Sequence, residues 1–389
     1  MSKPPLRILE LGMHFDPACG GADRYFDGLL LGMESLSVDF TAAAFGKPKR
    51  HSVVALDDWS TQTSSRICLG PENLTLWRRW TALHKLGYRF SSSSDVVATH
   101  FSLYALPLIG QLKNVSHVAH FHGPWARESA SEGQGRLVVA VKKMIERRVY
   151  LSAKRLIALS QAFRETLIKE YAIPPEKIAV VPGGVDTAHF HPVEQQTARR
   201  QMGWPKHKKI IFCLRRMVRR MGLETLLAAF AEVAIEHPDA ILILGGKGPL
   251  TGELQRFANE SSLGGRVIFQ GFISDHDLPS AYSAADFSIV PSQALEGFGL
   301  ITLESLACGT PVLVTPVGGL PETVKALDST LILAGHEVQD IMDGLRRGLS
   351  SPLPSRILCR DYAEKHFSWT EIARRVNDVY QEAANDNFR

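Results

Sequence analysis

The chain has 389 residues, 45% of them hydrophobic and 22% charged, with a formal net charge of +4. That length exceeds what one core supports and predicts two domains of roughly 150–200 residues, while no apolar run approaches the roughly 20 residues of a membrane-spanning helix. Five dispersed cysteines (Cys19, Cys68, Cys213, Cys308 and Cys359) form no metal-binding spacing and fit small buried groups in a reducing compartment.

The charge is unevenly divided. Residues 1–190 hold 23 Lys and Arg against 17 Asp and Glu, and the remainder 21 against 23. A basic first half suits phosphates or an anionic surface but is too weak to indicate nucleic acid.

The N-terminus, MSKPPLRILELGM, runs straight into a strand over residues 6–11 and lacks the apolar core and cleavage site of a signal peptide, so a cytoplasmic protein is expected. Gly20 and Gly21 then precede a helix with Tyr25, Leu29 and Met33 on one face. Strand, glycine turn and helix form the phosphate-approach layout of doubly wound folds, although a plain tight turn fits this pair equally. VDFTAAAF follows as a strand, then a basic stretch over residues 47–51 and the basic aromatic cluster LWRRW at residues 76–80.

DVVATH and HVAHFHG have the pattern of short buried strands, the second carrying His120 and His122 near its C-terminal end, where ligands of open α/β sheets collect. A long amphipathic helix, RLVVAVKKMIERRVYLSA, covers residues 136–153, with Leu137, Ala140, Val141, Met144, Ile145 and Val149 expected inward and Lys142, Lys143, Arg147 and Arg148 outward. The Pro-Gly-Gly turn of AVVPGGVDTAHFHP leads to a domain boundary near residues 190–207, after which strands and helices alternate again. Such alternation predicts βαβ units and mostly parallel sheets, with strand ends facing a cleft between two domains. FSWTEIARRVNDVYQEA is a last periodic helix, followed by a polar tail expected to fray.

The chemistry concentrates in PSQALEGFGLITLESLACGTPV, residues 291–312. Leu300, Leu303, Leu306 and Ala307 recur at helical spacing, which places Glu304 on the second turn of a helix and Glu296 in the loop ahead of it. A helix start with free N–H groups accepts a diphosphate, and glycines allow close approach. Two acids flanking an anion site suit a ligand with phosphates in the middle and hydroxyls at both ends, the layout of a nucleotide-sugar.

Taken in order, Gly-Gly, FHGPW, VVPGGVDTAHFHP, LRRMVRRMGLETLL, GGKGP and EGFGLITLESLACGTPV resemble a retaining glycosyltransferase of the GT-B fold, from the large family with a Glu-x7-Glu motif. The resemblance covers nearly the whole chain. It implies an α/β architecture of two Rossmann-like doubly wound domains facing across a cleft: residues 1–195 on the acceptor side, 196–370 binding the nucleotide-sugar, and 371–389 crossing back to the first domain. It implies transfer of a sugar from a UDP- or GDP-sugar to a hydroxyl acceptor with retention, as in polysaccharide, lipopolysaccharide or other glycoconjugate synthesis. A non-catalytic sugar-nucleotide-binding protein and another GT-B enzyme, an epimerase or phosphorylase, remain as alternatives.

Residue by residue, the resemblance implies that Glu304 binds the ribose hydroxyls and that Glu296 lies beside the donor sugar. The amides of Phe298, Gly299 and Leu300 come near sugar and phosphates, with Gly20 and Gly21 also at the ligand. His122 takes the position of an active-site histidine facing donor sugar and acceptor, and His120 is a supporting or core residue. The family writes G-R-L-v-x-x-K-G after the first strand of its second domain. Here Arg216 matches the arginine, but Met221 stands in place of the lysine, and Arg220 is expected to take over its part in neutralising the diphosphate. Asp275-His276-Asp277 is expected to cap a helix, and no cofactor or essential metal is expected. The basic helix and LWRRW are either solvated charge or a docking face for an anionic membrane carrying a lipid-linked acceptor.

Overall fold

A computed structural model describes residues 6–16, 20–46, 54–55, 65–90, 93–112, 115–261, 263 and 265–385. The basic stretch over residues 47–51, Cys19 and the end of the tail lie outside them. The chain divides into two compact units, Met1–Gly184 with Trp369–Arg389, and Val185–Ser368. Within the second unit the two crossing points lie side by side: Val185 N–H donates to Phe367 O at 2.8 Å.

The first unit is built on a parallel sheet of β1 (Ile8–His14), β2 (Phe40–Phe45), β3 (Val54–Ala55), β4 (Ser65–Cys68), β5 (Val96–Thr99), β6 (Ser116–Phe121), β7 (Arg155–Ala158) and β8 (Ile178–Val180). Their spatial order is β3-β4-β2-β1-β5-β6-β7-β8. The strands are short apolar runs because both sheet faces are covered by helices. One cover is the pair Gly21–Ser35 and Trp369–Asn385. A Cβ on Gly28 would lie 2.0 Å from the Trp369 indole, so the last helix approaches as closely as it does only because Gly28 lacks one. Trp369–Asn385 therefore crosses back to the first unit, as the resemblance implied.

The second unit holds β9 (Lys209–Leu214), β10 (Ala240–Gly245), β11 (Val267–Gly271), β12 (Phe287–Val290) and β13 (Val312–Val314), parallel and in the order β11-β10-β9-β12-β13. Numbered within the unit this is 3-2-1-4-5, the doubly wound order with its switch point between β9 and β12. In the first unit the order reverses between β1 and β5.

The helix Arg136–Ser152 departs from the expected packing. Val149 is buried, but Leu137 is 79% and Met144 64% exposed, and Ala140 and Val141 are exposed too. Glu146 and Tyr150 take the inward face instead. Only the last turns of this helix lie over the core, so its apolar N-terminal half remains uncovered. Lys142 turns back toward its own unit, donating to Ser129 Oγ at 2.7 Å and lying 4.5 Å over the Trp125 ring. The LWRRW cluster also divides: Trp77 is 74% exposed, whereas Trp80 packs on the core and Arg79 lies over Phe45.

Candidate active site

Two groups of polar side chains stand at the sheet positions where doubly wound folds bind ligands, one in each unit. In the second, β9 and β12 are neighbours at the switch point, so the residues that follow them meet. Arg215 follows β9, and Ser292 and Glu296 follow β12. The Arg215 guanidinium is buried and donates from Nη2 to both the Ser292 hydroxyl and the Glu296 carboxylate. Ser292 Oγ in turn donates to Glu296 Oε2 at 2.9 Å. Two donors on one carboxylate oxygen hold the Glu296 side chain in a fixed orientation.

The backbone of Glu296 is held as well. Gly319 N–H donates to Glu296 O at 3.1 Å. A Cβ on Gly318, whose φ is 57°, would stand 1.8 Å from that same oxygen, so only glycine fits. Leu295, just before it, is a non-glycine residue at φ 55°, and Arg220 donates to its carbonyl at 3.3 Å.

Glu304 falls on the second turn of the helix Leu300–Ala307, as its spacing predicted, and is 3% exposed. Tyr282, on the helix Leu278–Ala284, donates its hydroxyl to Glu304 Oε2 at 3.0 Å. Gly299 is the residue before that helix at φ 89°, Leu300 its first residue, and Phe298 is buried.

The arginines behave differently from one another. Arg216 is exposed, Arg219 is exposed and paired with Glu224 at 3.1 Å, and Arg220 is half-buried against the Glu296 loop. Met221 is buried. Arg215, to which the sequence motif gives no role, is the one that reaches Glu296. Its signal was in the register: it stands where the family pattern has its first glycine.

Asp275-His276-Asp277 does not cap as expected. Asp277 precedes the helix Leu278–Ala284 but makes no side-chain cap bond; its carboxylate accepts from Ser274 Oγ at 2.6 Å instead. That bond, then His276, holds its pKa below the usual value.

In the first unit the strand period of two places side chains from β1, β5 and β6 on one face. Glu10 lies in β1, His100 directly follows β5, His120 lies in β6 and His122 directly follows it. His100 Nε2 is 2.9 Å from Glu10 Oε2, and His100 Nδ1 is 3.0 Å from His122 Nε2. Tyr380 donates its hydroxyl to Glu10 Oε1 at 2.8 Å and lies 2.7 Å from His120 Nε2. Burial first, and then neighbouring His100, pushes the pKa of His120 and His122 well below the usual range, so both rings are neutral. The buried atoms Tyr25 Oη, His120 Nδ1 and His122 Nδ1 have no hydrogen-bond partner among the described residues. Sequence reasoning found His122 and His120 but missed Glu10, an acid inside the apolar strand ILELGM, and His100.

Among the described residues, His100, His120 and His122 are near enough to share a metal ion. The His100 and His120 rings, however, stack at 4.1 Å with planes 16° apart. An ion must lie close to the plane of each ligating imidazole, and two stacked planes offer no such point. Gly20 and Gly21 lie at the start of the helix Gly21–Ser35, beside the buried Asp23, which accepts from the His14 backbone N–H at 3.0 Å.

Two parallel, doubly wound units in one chain define the class: a GT-B α/β architecture. Residues 19–189 match the family described as Glycosyltransferase Family 4, and residues 194–366 match Glycosyl transferases group 1. The chain belongs to this group of GT-B glycosyltransferases.

It is similar to the D-inositol 3-phosphate glycosyltransferase of Corynebacterium jeikeium, 33% identical over 68% of this chain and 66% of that protein. The Corynebacterium kroppenstedtii protein of the same name is 32% identical over 62% of this chain and 56% of its own length. The chain thus spans about two thirds or less of these relatives. Among solved structures, sucrose-phosphate synthase from Thermosynechococcus elongatus superposes with a TM-score of 0.76 at 24% identity, covering 97% of this chain and 98% of that one. Anabaena HepE in complex with UDP and glucose superposes with a TM-score of 0.76 at 18% identity, over 97% and 100%.

Proposed function

We propose that the protein transfers a sugar from a UDP- or GDP-sugar to a hydroxyl acceptor with retention of anomeric configuration, in the assembly of a polysaccharide, lipopolysaccharide or other glycoconjugate. The observation that carries this reading is the pair of oriented acids around one helix start, the partly buried Glu296 held by Arg215 and Ser292, and the buried Glu304 held by Tyr282. Relatives named as D-inositol 3-phosphate glycosyltransferases and a structural neighbour solved with UDP and glucose support the substrate class.

In this reading Glu304 accepts from the ribose hydroxyls and Glu296 from hydroxyls of the donor sugar. The amides at Phe298, Gly299 and Leu300 meet sugar and phosphates. Arg216 and Arg220 offset the charge that develops on the departing diphosphate, a large term in such a reaction. His122 accepts from a hydroxyl of sugar or acceptor. The departing phosphate takes the acceptor's proton in a front-face attack, so no protein nucleophile or metal is used. The uncovered apolar and basic face of helix Arg136–Ser152 supports peripheral attachment to an anionic membrane bearing the acceptor.

The test is a screen of UDP- and GDP-sugars by thermal shift, since a ligand stabilises the fold that binds it, followed by measurement of released nucleotide with and without alcohol acceptors. A donor that stabilises the protein and releases nucleotide faster with acceptor supports the reading. Stabilisation without any turnover would leave a binding protein.

A further inference from the structure

β1 ends on a histidine, His14, that has no part in the donor site of the second unit. β1 and β5 flank the point where the strand order of the first unit reverses, and in doubly wound folds ligands bind outside the C-terminal ends of the strands there. Along the β1–β2 ladder Leu11 pairs with Ala43 and His14 with Phe45, so β1 holds one residue more than its partner just before His14. Such a bulge re-aims a side chain, and bulges are common next to active sites. The backbone is pinned on both sides of the ring. Phe15 N–H donates to Phe45 O at 3.2 Å, and His14 N–H donates to Asp23 Oδ1 at 3.0 Å.

Asp23 lies on the first turn of the helix Gly21–Ser35 and is 3% exposed, and among the described residues its carboxyl group meets only His14. Its second oxygen, Oδ2, lies 3.5 Å from His14 Nδ1. Burying a carboxyl group costs free energy unless it is used, and here both oxygens serve to fix one imidazole. The ring itself stays 21% exposed. Its other nitrogen, Nε2, has no hydrogen-bond partner among the described residues and is not one of the enclosed atoms that lack one. A hydroxyl suits such a nitrogen in either protonation state, since an O–H both donates and accepts. We infer that His14, oriented by Asp23, binds a hydroxyl of the acceptor through Nε2, and that the acceptor is a polyol or sugar with a second hydroxyl beside the one that reacts. His14 thereby helps to select the acceptor, and Asp23 is a positioning residue that acts through it. The inference rests on the proposed sugar transfer for the meaning of that hydroxyl, but not for the openness of Nε2.

Three substitutions separate binding from folding. His14→Ala removes the nitrogen, whereas His14→Gln keeps a polar group of similar reach. Asp23→Asn retains an oxygen for the His14 backbone N–H but sets an amide against Nδ1, so the strand end stays pinned while the ring loses its fixed partner. Melting temperatures check that each variant is folded.

Initial rates are measured with a UDP- or GDP-sugar that stabilises the protein, and with myo-inositol, methyl α-D-glucoside and glycerol as acceptor probes. KM for the probe is expected to rise on the order of tenfold in His14→Ala, the loss of about one hydrogen bond. It should recover for the most part in His14→Gln and rise by less in Asp23→Asn, while KM for the donor changes little. In parallel the full chain, labelled with 15N-histidine, is titrated with the same probes, the His14 signal being assigned by its loss in His14→Ala. The His14 ring nitrogens are expected to shift more than those of the buried His100 and His120. A probe KM that His14→Ala leaves unchanged overturns the inference. So does a rise in donor and probe KM together, which a merely structural role would give, and so does a His14 signal that a glycosylated probe does not move. If no probe accepts sugar, the proposed transfer fails with these acceptors and the shifts alone decide: a His14 signal moved by a probe upholds the inference, and one unmoved by every probe overturns it.

Discussion

The buried Arg215 and the partly buried Glu296 form an ion pair, with the Ser292 hydroxyl donating to the same carboxylate oxygen. Removing one member of such a pair leaves the other charged and desolvated, which costs about 3 kcal/mol or more. Arg215→Met is therefore expected to lower stability by about 3 kcal/mol, and the double variant with Glu296→Gln by much less, because the orphaned charge is gone. Denaturant melts of the two single variants and the double variant measure the coupling. Additive effects would show that the pair is not formed in solution.

The pair also shows where sequence reasoning stopped. Glu296 and Glu304 were legible because spacing alone puts one in a loop and the other on a helix, and their neighbours EGFG and CGTPV confirm the turn. Arg215 was not, because a run of four arginines in six residues has no internal sign of which one turns inward. That was decided by the pairing of β9 with β12, which brings the residue after each strand together. Glu10 and His100 were hidden for the same reason: 90 residues separate them, and only the β1–β5 neighbourhood joins them. The βαβ alternation, by contrast, is a local signal, and both sheets and the returning last helix followed from it and from the ordered motifs. The helix Arg136–Ser152 misled because its apolar period is genuine but the unit covers only its C-terminal half.

Met221 is buried and apolar, whereas Arg220 is half-buried on the Leu295 carbonyl and Arg216 is exposed. Arg220→Ala and Arg216→Ala are each expected to lower kcat by on the order of a hundredfold, the usual effect of losing one group that stabilises developing charge. Initial rates of nucleotide release at saturating donor provide the measurement. Near-normal turnover in Arg220→Ala would remove it from the role that the family gives to lysine.

The exposed Leu137, Val138, Val141 and Met144 lie on the same helix as the exposed Lys143, Arg147 and Arg148. Apolar insertion and attraction to anionic lipid act together on such a face, each basic residue contributing about 1 kcal/mol near the surface. The protein is expected to float with vesicles containing phosphatidylglycerol and to be released by high salt. Leu137→Asp with Met144→Asp should abolish flotation without lowering the melting temperature, since neither side chain is in the core. Equal flotation with neutral vesicles would point away from the basic face.

Acidity acts on the first unit in two opposing ways. Burial pushes the Glu146 carboxyl up to about 7 from 4.5, although Tyr171 and the amides of Trp125 and Ala126 donate to it. A raised folded pKa means that the native state holds the proton more tightly. This contribution is fully present below pH 4.5 and lost as pH rises through about 7, with a span of about 3 kcal/mol. Burial pushes His117 down to about 4 from 6.5 and holds His120 and His122 low as well. Their contribution has the opposite sign: it is present above pH 6.5 and lost as pH falls toward 4, because the unfolded rings take protons that the folded ones refuse. The wild type should therefore lose stability on acidification, with Glu146 offsetting part of the loss. Melting temperatures of wild type and Glu146→Gln from pH 5 to pH 8 separate the two. The advantage of the wild type over the variant is expected to be larger at pH 5 than at pH 8, and a gap that is constant or widens with pH would mean that Glu146 is already ionised in the folded protein.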